Sequence, residues 1–513
     1  MRNNITYCLH RLLCASVFIA FFASDLNAQE LWSKMTSSPS GILGSLTSQG
    51  QAYYKLNDLQ AIHKNNTLKG GAFETFILPN EKGIQETFKV VSIPMLSLKL
   101  SKKYPGVKTY EGISNSRPEV RVRLSSHPHG INAWLKLPGT QDFFIQKVKG
   151  EKQLHYTYSK TDNNLSQALR CKTNISSYNS KNRGNTSKII AKNIQLKTFR
   201  IAIAATAEFT DFWGDNDDGN GTNSADALGA IISTLNRISS VFEDELGVRL
   251  QLVSDESILY ENPVTDPFTG SFGDELQITL DEIIGNDAYD VGHLFDYGQP
   301  DGDAGCIGCV CESGLKGRGY STHPFRDVFG GEYRNDYFDL DYAAHEIGHQ
   351  FGALHSFSFD SEGTGFNAEP GSGSTIMAYA GITGDDNVQL HGDPYFHYYS
   401  IQNILEQLPT FQCATTENNS FPAFTVDAGI DYSIPIGTAY ELSPTNIESE
   451  SGSTYCWEQL DSGQVTSASF GPYNAIGALA RSLPPSESPT RTLPNMNQIL
   501  LGNLTQENPG LDD

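Results

Sequence analysis

The residues whose types and spacing could carry chemistry lie close together, between His345 and His355. His345 and His349 are four positions apart, so in a helix they share one face, one turn apart, and could hold one ion. Glu346 lies on the adjacent face, where its carboxylate would contact a water molecule beside the ion. Gly352 favours a sharp turn after the helix, because glycine adopts positive φ without strain, and the turn returns His355 to the same point. Three neutral imidazoles leave one coordination position open, which is typical of a catalytic rather than a structural zinc site.

The alternative for the same histidines is packing in a core or exposure on a helix. The run His-Glu-x-x-His-x-x-Gly-x-x-His is complete, which favours the metal site over that alternative. A second feature agrees with it. Met377, inside STIMAYAG, would be ordinary core packing on its own, but after the histidine motif it fits the Met-turn that passes beneath the metal in metzincins.

On these residues, the segment 198–413 resembles the catalytic domain of metzincin zinc metalloproteases. The stretches GDAGCIGCVC upstream and TIMAYAG downstream make it most similar to reprolysin-like (adamalysin-like) secreted bacterial members. The resemblance implies an α+β fold with a metzincin-like catalytic domain, built on a twisted mixed five-stranded sheet with a long active-site helix. It also implies a substrate cleft along the edge strand near 302–311, and we expect loops around 380–397 to shape the pocket that sets cleavage preference.

The resemblance assigns a role to each matching residue. It implies one catalytic zinc ion as cofactor, with His345, His349 and His355 as ligands, Glu346 as general base and Met377 as a structural residue. Tyr379 is a candidate fifth ligand or transition-state contact for the oxyanion, and packing is its alternative role. Histidines outside the motif are expected to be structural or surface residues; they include His293, His391 and His397.

The first residues, 1–28, have the pattern of a signal peptide. Arg2 and Arg11 precede the apolar run LLCASVFIAFFA, and Ala28 stands before Gln29. The run is short for a membrane span, although an uncleaved anchor is the alternative. We therefore expect a secreted protein without membrane insertion. The formal net charge of −23 also argues against nucleic-acid partners and leaves protein or peptide substrates as expected partners; the oligomeric state stays open.

Export makes disulfides permissible for the cysteines beyond the signal peptide. The stretch CIGCVC lacks the second Cys-x-x-Cys of a zinc knuckle, which favours disulfides over a metal site there. The resemblance implies a Cys311–Cys413 disulfide, after which Cys306 and Cys309 can pair with each other. Cys171 is a candidate thiol that caps the zinc of a zymogen, although ALRCKTN departs from the usual switch motif.

Composition and patterning divide the chain into four parts. After the signal peptide, residues 29–190 read as β-rich, including FKVVSIPMLSLKL (88–100) as a strand, and they end in a polar linker. Through YPGVKTYEG and the following VRVRLSS, this part resembles the propeptide of secreted bacterial metalloproteases, which implies maturation in the linker, between about 178 and 198. The catalytic domain spans 198–413, with a helix over 224–247 capped by Ser224 and Gly247. A second linker, TTENNSFPAF, covers 415–424. Residues 421–513 read as a small β-sandwich accessory domain, the end of which reads as incomplete.

The predicted function is that of a secreted zinc endopeptidase. One alternative is a zinc hydrolase of non-peptide substrates, since metal and base would serve any ester or amide. Another is a non-catalytic adhesin that keeps the fold, although every catalytic position is intact. Calcium is a weaker candidate cofactor: Asp215, Asp217 and Asp218 lie in GDNDDGNG, but the spacing is not that of an EF-hand, so a solvated acidic loop is favoured.

Overall fold

The computed structural model describes residues 31–505, except for 36–50, 69–70, 128–129, 152, 161–170, 176–194, 216–221, 254–255, 327–332, 421–424 and 450–451. The signal peptide, most of the expected maturation region, Asp217 and Asp218 therefore lie outside the described residues. Within the described ranges, no helix is long and apolar enough to cross a membrane.

The N-terminal part forms an antiparallel sheet of ten strands in the order β1-β2-β10-β9-β8-β7-β6-β5-β4-β3. The strands are β1 (Trp32–Lys34), β2 (Ala52–Leu56), β3 (His63–Leu68), β4 (Gly71–Pro79), β5 (Gln85–Ile93), β6 (Lys108–Ser114), β7 (Arg121–His127), β8 (Gly130–Lys136), β9 (Phe143–Lys147) and β10 (Leu154–Ser159), with short helices α1 (Leu59–Ile62) and α2 (Leu98–Lys103). One face buries its own apolar cluster, around Phe88 and Leu124. The other face contributes Trp134 and Phe144 to the core of the following domain. The β-rich character expected for this region is therefore observed.

The expectation of one strand over 88–100 was wrong in its second half. Strand β5 ends at Ile93, and α2 begins at Leu98. Pro94 follows the strand and has no N–H to continue the ladder. Ser97 then caps the helix, because its side chain accepts a hydrogen bond from the backbone N–H of Leu100.

A second, mixed sheet has the order β12-β11-β13-β15-β14, and β16 also pairs with β11. Its strands are β11 (Gln195–Ala205), β12 (Val248–Leu252), β13 (Val291–Asp296), β14 (Asp301–Asp303), β15 (Gly319–Thr322) and β16 (Thr415–Ser420). The resemblance implies five strands in this sheet, and β16 is a sixth. The residues of β16 were expected to be part of a linker. Lys197 pairs with Val248 on one side and with Thr416 on the other, so β16 covers an edge of the long strand β11 that would otherwise be unpaired.

Helices cover this second sheet. They are α3 (Ala207–Trp213), α4 (Asn223–Leu246), α5 (Phe272–Ile283), α6 (Ala344–Gln350) and α7 (Tyr398–Gln407). Helix α4 ends at Gly247, whose φ of 64° confirms the expected C-cap. Its N-cap is Thr222 rather than Ser224, because the Thr222 side chain accepts from Ala225 N–H while Ser224 donates to Glu261. Most of α4 is buried, since it lies between the two sheets.

The expected long active-site helix has two parts. Tyr337–Ala343 is π-helical, and the α-helical part, α6, covers only Ala344–Gln350. The backbone N–H of Ala344 donates to Asp339 O, five residues back, instead of four. The Asp339 carboxylate accepts hydrogen bonds from Thr234 and Arg237 of α4, so contacts outside the helix hold the wider turns in place.

The C-terminal part does not show the expected β-sandwich. Its described residues form two two-stranded ladders, β17 (Thr425–Asp427) with β19 (Asn446–Glu448) and β18 (Tyr440–Leu442) with β20 (Arg491–Leu493), followed by helix α8 (Met496–Leu501). Strands of three residues bury little, and apolar side chains such as Ile430, Tyr432 and Ile436 remain exposed. The stretch from Glu458 to Ser482 instead lies against loops of the preceding domain.

Candidate metal centre

Helix α6 and the turn after it bring three histidines together. His345 and His349 lie one turn apart, with ring centroids 4.8 Å from each other. The chain turns at Gly352, whose φ is 110°, a conformation that disfavours every residue with a Cβ. The turn places the His355 ring 4.6 Å from that of His349, with 3.0 Å between their Nε2 atoms. All three side chains are buried.

The tautomers of these histidines leave each Nε2 atom without a proton, and the three Nε2 lone pairs converge. His345 Nδ1 is 2.7 Å from Ile376 O and His349 Nδ1 is 2.8 Å from Ala353 O, and carbonyl oxygens only accept, so both Nδ1 atoms carry the proton. His355 Nδ1 faces the Glu362 carboxylate at 2.8 Å. His345 Nε2 has no hydrogen-bond partner. Buried lone pairs that face one another without a proton between them suit a cation, and imidazole nitrogen is a preferred zinc ligand.

The electrostatics agree with neutral ligands. Burial, together with the neighbouring His355, lowers the pKa of His345 to about 3. The pKa of His349 is also lowered well below its usual value, again chiefly by burial. Neutral imidazole is the form that binds metal, so both side chains are ready for an ion at neutral pH.

Glu346 lies next to this cluster and is fully buried. Its Oε2 accepts a 2.9 Å hydrogen bond from the Thr173 hydroxyl, while Oε1 has no hydrogen-bond partner. Burial raises the pKa of Glu346 to about 8, against the hydrogen bonds from Thr173 and Cys171, which lower it. A carboxyl group that can hold or release a proton near neutral pH is suited to general acid–base chemistry.

Met377 lies beneath the histidines, as the resemblance implies. It is fully buried, and a Cβ on Gly348 would be only 2.7 Å from its sulfur, so the helix can approach the turn only where it has a glycine. The same turn supports two ligands through its backbone. Ile376 O holds the His345 ring, and Met377 O accepts from the N–H of Ser356, the residue after His355.

A short segment of the N-terminal part occupies the space in front of the histidines. Cys171 forms an isolated parallel bridge with Gly302 of the edge strand β14, and Lys172 N–H donates to Gly302 O at 2.8 Å. The Cys171 sulfur is 3.7 Å from His349 Nε2. One ligand atom from each of Cys171 and the three motif histidines lies within 4.8 Å of the others, so four donors surround one point.

Thr173 follows on the same segment and was not singled out from the sequence. Its hydroxyl donates to Glu346 and accepts from Ala304 N–H at 2.8 Å, so it joins the Glu346 carboxylate to the chain just after β14. Burial raises the pKa of the Cys171 thiol, and the Glu346 charge raises it further. A cation at the cluster would act in the opposite direction, because ligating thiols are deprotonated.

Tyr379 stands at the rim of the cluster. Its ring centroid is 4.7 Å from that of His355 and 4.4 Å from that of Phe357. Burial raises its pKa, as does its hydrogen-bonded neighbour Cys171. The phenol is therefore a neutral hydrogen-bond donor beside the histidines. Its ring also packs against Phe357, so a polar role and a packing role, the two alternatives from the sequence, are compatible.

The other expected site residues lie further out. Both disulfides are present, Cys306–Cys309 and Cys311–Cys413. The histidines outside the motif have structural contacts: His293 with Gln350 and Ser321, His391 with Asp341, and His397 at the N-cap of α7. Asp215 is exposed. Glu362, which holds His355, was missed because no local spacing connects the two residues.

Comparison with known proteins agrees with the geometry. Residues 195–408 match a family described as metallo-peptidase family M12B, reprolysin-like. No curated protein matches the chain. A solved structure titled "Structure of a chaperone-substrate complex" aligns with a TM-score of 0.23 and 13% identity, over 42% of this chain and 36% of that chain, and this likeness carries no argument. The matched segment contains the three histidines, Glu346 and Met377, so the similarity to reprolysin-like metallopeptidases covers the same residues as the metal centre.

Proposed function

We propose that this protein is a secreted zinc-dependent endopeptidase, made as a zymogen. The observation that carries the proposal is the convergence of three Nε2 lone pairs beside the buried carboxylate of Glu346, at the open edge of a sheet. The family of residues 195–408 supports peptide hydrolysis. Disulfides at Cys311–Cys413 and Cys306–Cys309 are consistent with an exported protein.

In this proposal His345, His349 and His355 hold the zinc ion. When bound, zinc polarises the scissile carbonyl and lowers the pKa of water. Glu346 accepts the proton of the attacking water on a carboxylate oxygen and then donates it to the nitrogen of the leaving amine, which restores the carboxylate. The Tyr379 hydroxyl is a candidate donor to the oxygen that gains negative charge, because it is neutral and lies at the rim of the cluster.

The edge strand β14 supports a peptide as substrate. Lys172 shows how an extended chain pairs there, through its N–H to Gly302 O. A polypeptide gains such main-chain hydrogen bonds along an exposed strand, and a small ester does not. This favours an endopeptidase over a zinc hydrolase of other substrates. The complete set of ligands and base argues against a non-catalytic adhesin.

The segment 171–173 makes the described state an inhibited one. Cys171 takes the position in front of the histidines, and Thr173 occupies one oxygen of Glu346. A substrate cannot pair with Gly302 while Lys172 does so. We therefore assign residues 29–190 as an inhibitory propeptide, with 198–413 as the catalytic domain, and removal of the propeptide as the activating step.

The test is Glu346→Ala in the mature protein. The variant should retain about one zinc per chain and its fold, because the three histidines are unchanged, while cleavage of casein or gelatin should fall by at least about 10²–10⁴-fold. Zinc is measured by atomic absorption and cleavage by release of peptides. Glu282→Ala, at an exposed carboxylate on α5, is the matched control and should have parental activity. Activity of Glu346→Ala within tenfold of the parent would exclude this mechanism.

A further inference from the structure

The stretch 458–482, here called the docking segment, connects to the loops around the metal centre by many hydrogen bonds. It has no regular strand, yet it is not a loosely attached linker. Val465 is fully buried, its N–H donates to Ser358 O at 2.8 Å, and its O accepts from Gly371 N–H at 2.9 Å. Gly463 N–H donates to Asn367 O at 3.0 Å. The docking segment therefore holds the loop that follows the ligand His355.

The docking segment also contacts residues 380–393, here called the substrate loop. Ser467 N–H donates to the Asp386 carboxylate at 2.6 Å, and the Arg481 guanidinium donates to the side-chain oxygen of Gln389. The Gln389 amide in turn donates to His391 O at 2.6 Å. The middle and the end of the substrate loop are thus tied to the docking segment.

Further bonds fix the docking segment itself. Glu458 accepts from the N–H of Tyr398 at the start of α7, at 2.7 Å. Ser482 O accepts from the Ser374 hydroxyl at 3.2 Å, and the Ser482 hydroxyl is 2.8 Å from that of Tyr395. Both ends of the docking segment are therefore hydrogen-bonded to elements that surround the Met-turn.

The substrate loop lines a small cavity beside the metal centre. The cavity is lined by Ile376 and Tyr379, which contact the histidines, and by Ile382 and Gly392 of the substrate loop. A shift of the substrate loop would change the width of this cavity. The position of Ile382 and Gly392 depends on Asp386 and Gln389 between them, and these are the residues that the docking segment holds.

We propose that the docking segment is part of the peptidase unit and sets cleavage preference, because it fixes the substrate loop at the width that accepts a particular side chain next to the scissile bond. The inference rests on the proposed endopeptidase function. It replaces the expectation that everything after residue 421 is a separate accessory domain. Arg481 acts here as a positioning residue, since it contacts the Gln389 side chain of the substrate loop and not the substrate.

The experiment compares Arg481→Met with Gln464→Met in the mature protein. Both residues lie in the docking segment and each has a side-chain bond to the neighbouring loops, but Gln464 donates to Phe359 O and not to the substrate loop. Cleavage of a peptide series that varies only at the residue after the scissile bond gives kcat/KM for each side chain. We expect the ratio between large and small apolar residues to change about three- to tenfold in Arg481→Met and less than twofold in Gln464→Met.

A second variant removes the acceptor of the hydrogen bond between Arg481 and Gln389. Gln389→Ala should change the same ratio in the same direction, and the double variant should add little to either single change. Zinc content and melting temperature should stay near the parental values. Unchanged ratios in Arg481→Met and Gln389→Ala, or a uniform loss over all peptides, would overturn the inference. Failure of the parent to cleave any peptide would instead refute the proposed function.

Discussion

Glu362 differs from the other groups that hold the three histidine rings. His345 and His349 donate their Nδ1 protons to backbone carbonyls, whereas His355 donates to the Glu362 carboxylate. A carboxylate partner fixes the ring and makes the ligating nitrogen more basic. His355 also follows the turn at Gly352, so it depends more than the helical ligands on a side chain to orient it.

We predict that Glu362→Gln lowers zinc affinity by about 10–100-fold, because outer partners of metal-bound histidines have effects of that size. The amide oxygen can still accept from His355 Nδ1, but without the negative charge. Competition with a chelator of known affinity gives the dissociation constant. Glu282→Gln, on the exposed side of α5, is the control. Equal zinc affinity in both variants would mean that the carboxylate has no role in holding the metal.

Local spacing was sufficient to predict the ligands but not their partners. His345, His349 and Gly352 lie in one helix and its turn, so their arrangement follows from helical geometry alone. Thr173 contacts Glu346 from far away in the sequence. The candidate thiol Cys171 indicated that this segment could reach the zinc, but no pattern indicated a hydrogen bond from Thr173 to Glu346. Contacts of this kind depend on how two separately folded parts pack, which spacing does not encode.

Among the elements, the loop after β14 and the end of α7 are joined covalently. Cys311–Cys413 closes a sequence separation of 102 residues, whereas Cys306–Cys309 closes one of 3. The segment between Cys311 and Cys413 contains the active-site helix, the Met-turn and helix α7. Gly308, inside the short loop closed by Cys306–Cys309, donates its N–H to His349 O, so this loop also contacts the active-site helix.

Replacing both Cys311 and Cys413 by alanine should lower the free energy of unfolding by about 2–5 kcal/mol, because the longer loop restricts the unfolded chain more. Replacing Cys306 and Cys309 together is the matched control and should cost less. Unfolding in denaturant, followed by fluorescence, measures both. Losses of equal size in the two double variants would contradict the explanation by loop closure.

Strands and helices with strong patterns were predicted well, and elements that depend on distant partners were not. Helix α4 has apolar residues at helical spacing and a glycine C-cap, and it is observed within two residues of its expected range. Strand β16 reads as a polar linker, TTENNS, and exists because β11 has a free edge beside it. The C-terminal sandwich was expected from short apolar runs, but those runs bury little and form only short ladders.

At the scale of the whole molecule, the two sheets are joined through α4 by buried polar contacts. Arg123 of the N-terminal sheet pairs with Glu243, and Ser125 contacts the Ser233 hydroxyl at 2.8 Å. Tyr158 donates to Asp336, next to the π-helical turns before the ligand helix. The N-terminal part therefore contacts the element that carries His345, in addition to occupying the cleft with Cys171. Two separate contacts of this kind would keep the proposed propeptide bound after cleavage of the linker alone.

We predict that cleavage between about 178 and 198 yields a mature N-terminus but leaves the propeptide bound, and that Lys160→Met releases it. Lys160 is buried, its ammonium donates to Gly392 O, and the carboxylates of Asp341 and Asp336 raise its pKa against the effect of burial. Loss of a buried charge from such a group costs about 3–5 kcal/mol, so the propeptide should bind about 10²–10⁴-fold more weakly.

Size-exclusion chromatography of the cleaved protein tests this, with N-terminal sequencing of each peak and peptidase activity measured on dilution. Parental protein should elute as one inactive complex and gain activity only when strongly diluted, whereas Lys160→Met should separate and become active at higher concentration. Lys108→Met, at an exposed position on β6, is the control and should behave as the parent does. Full activity in protein that still begins at Gln29 would show that residues 29–190 do not inhibit, since the segment 171–173 could not then block the cleft that peptides must enter.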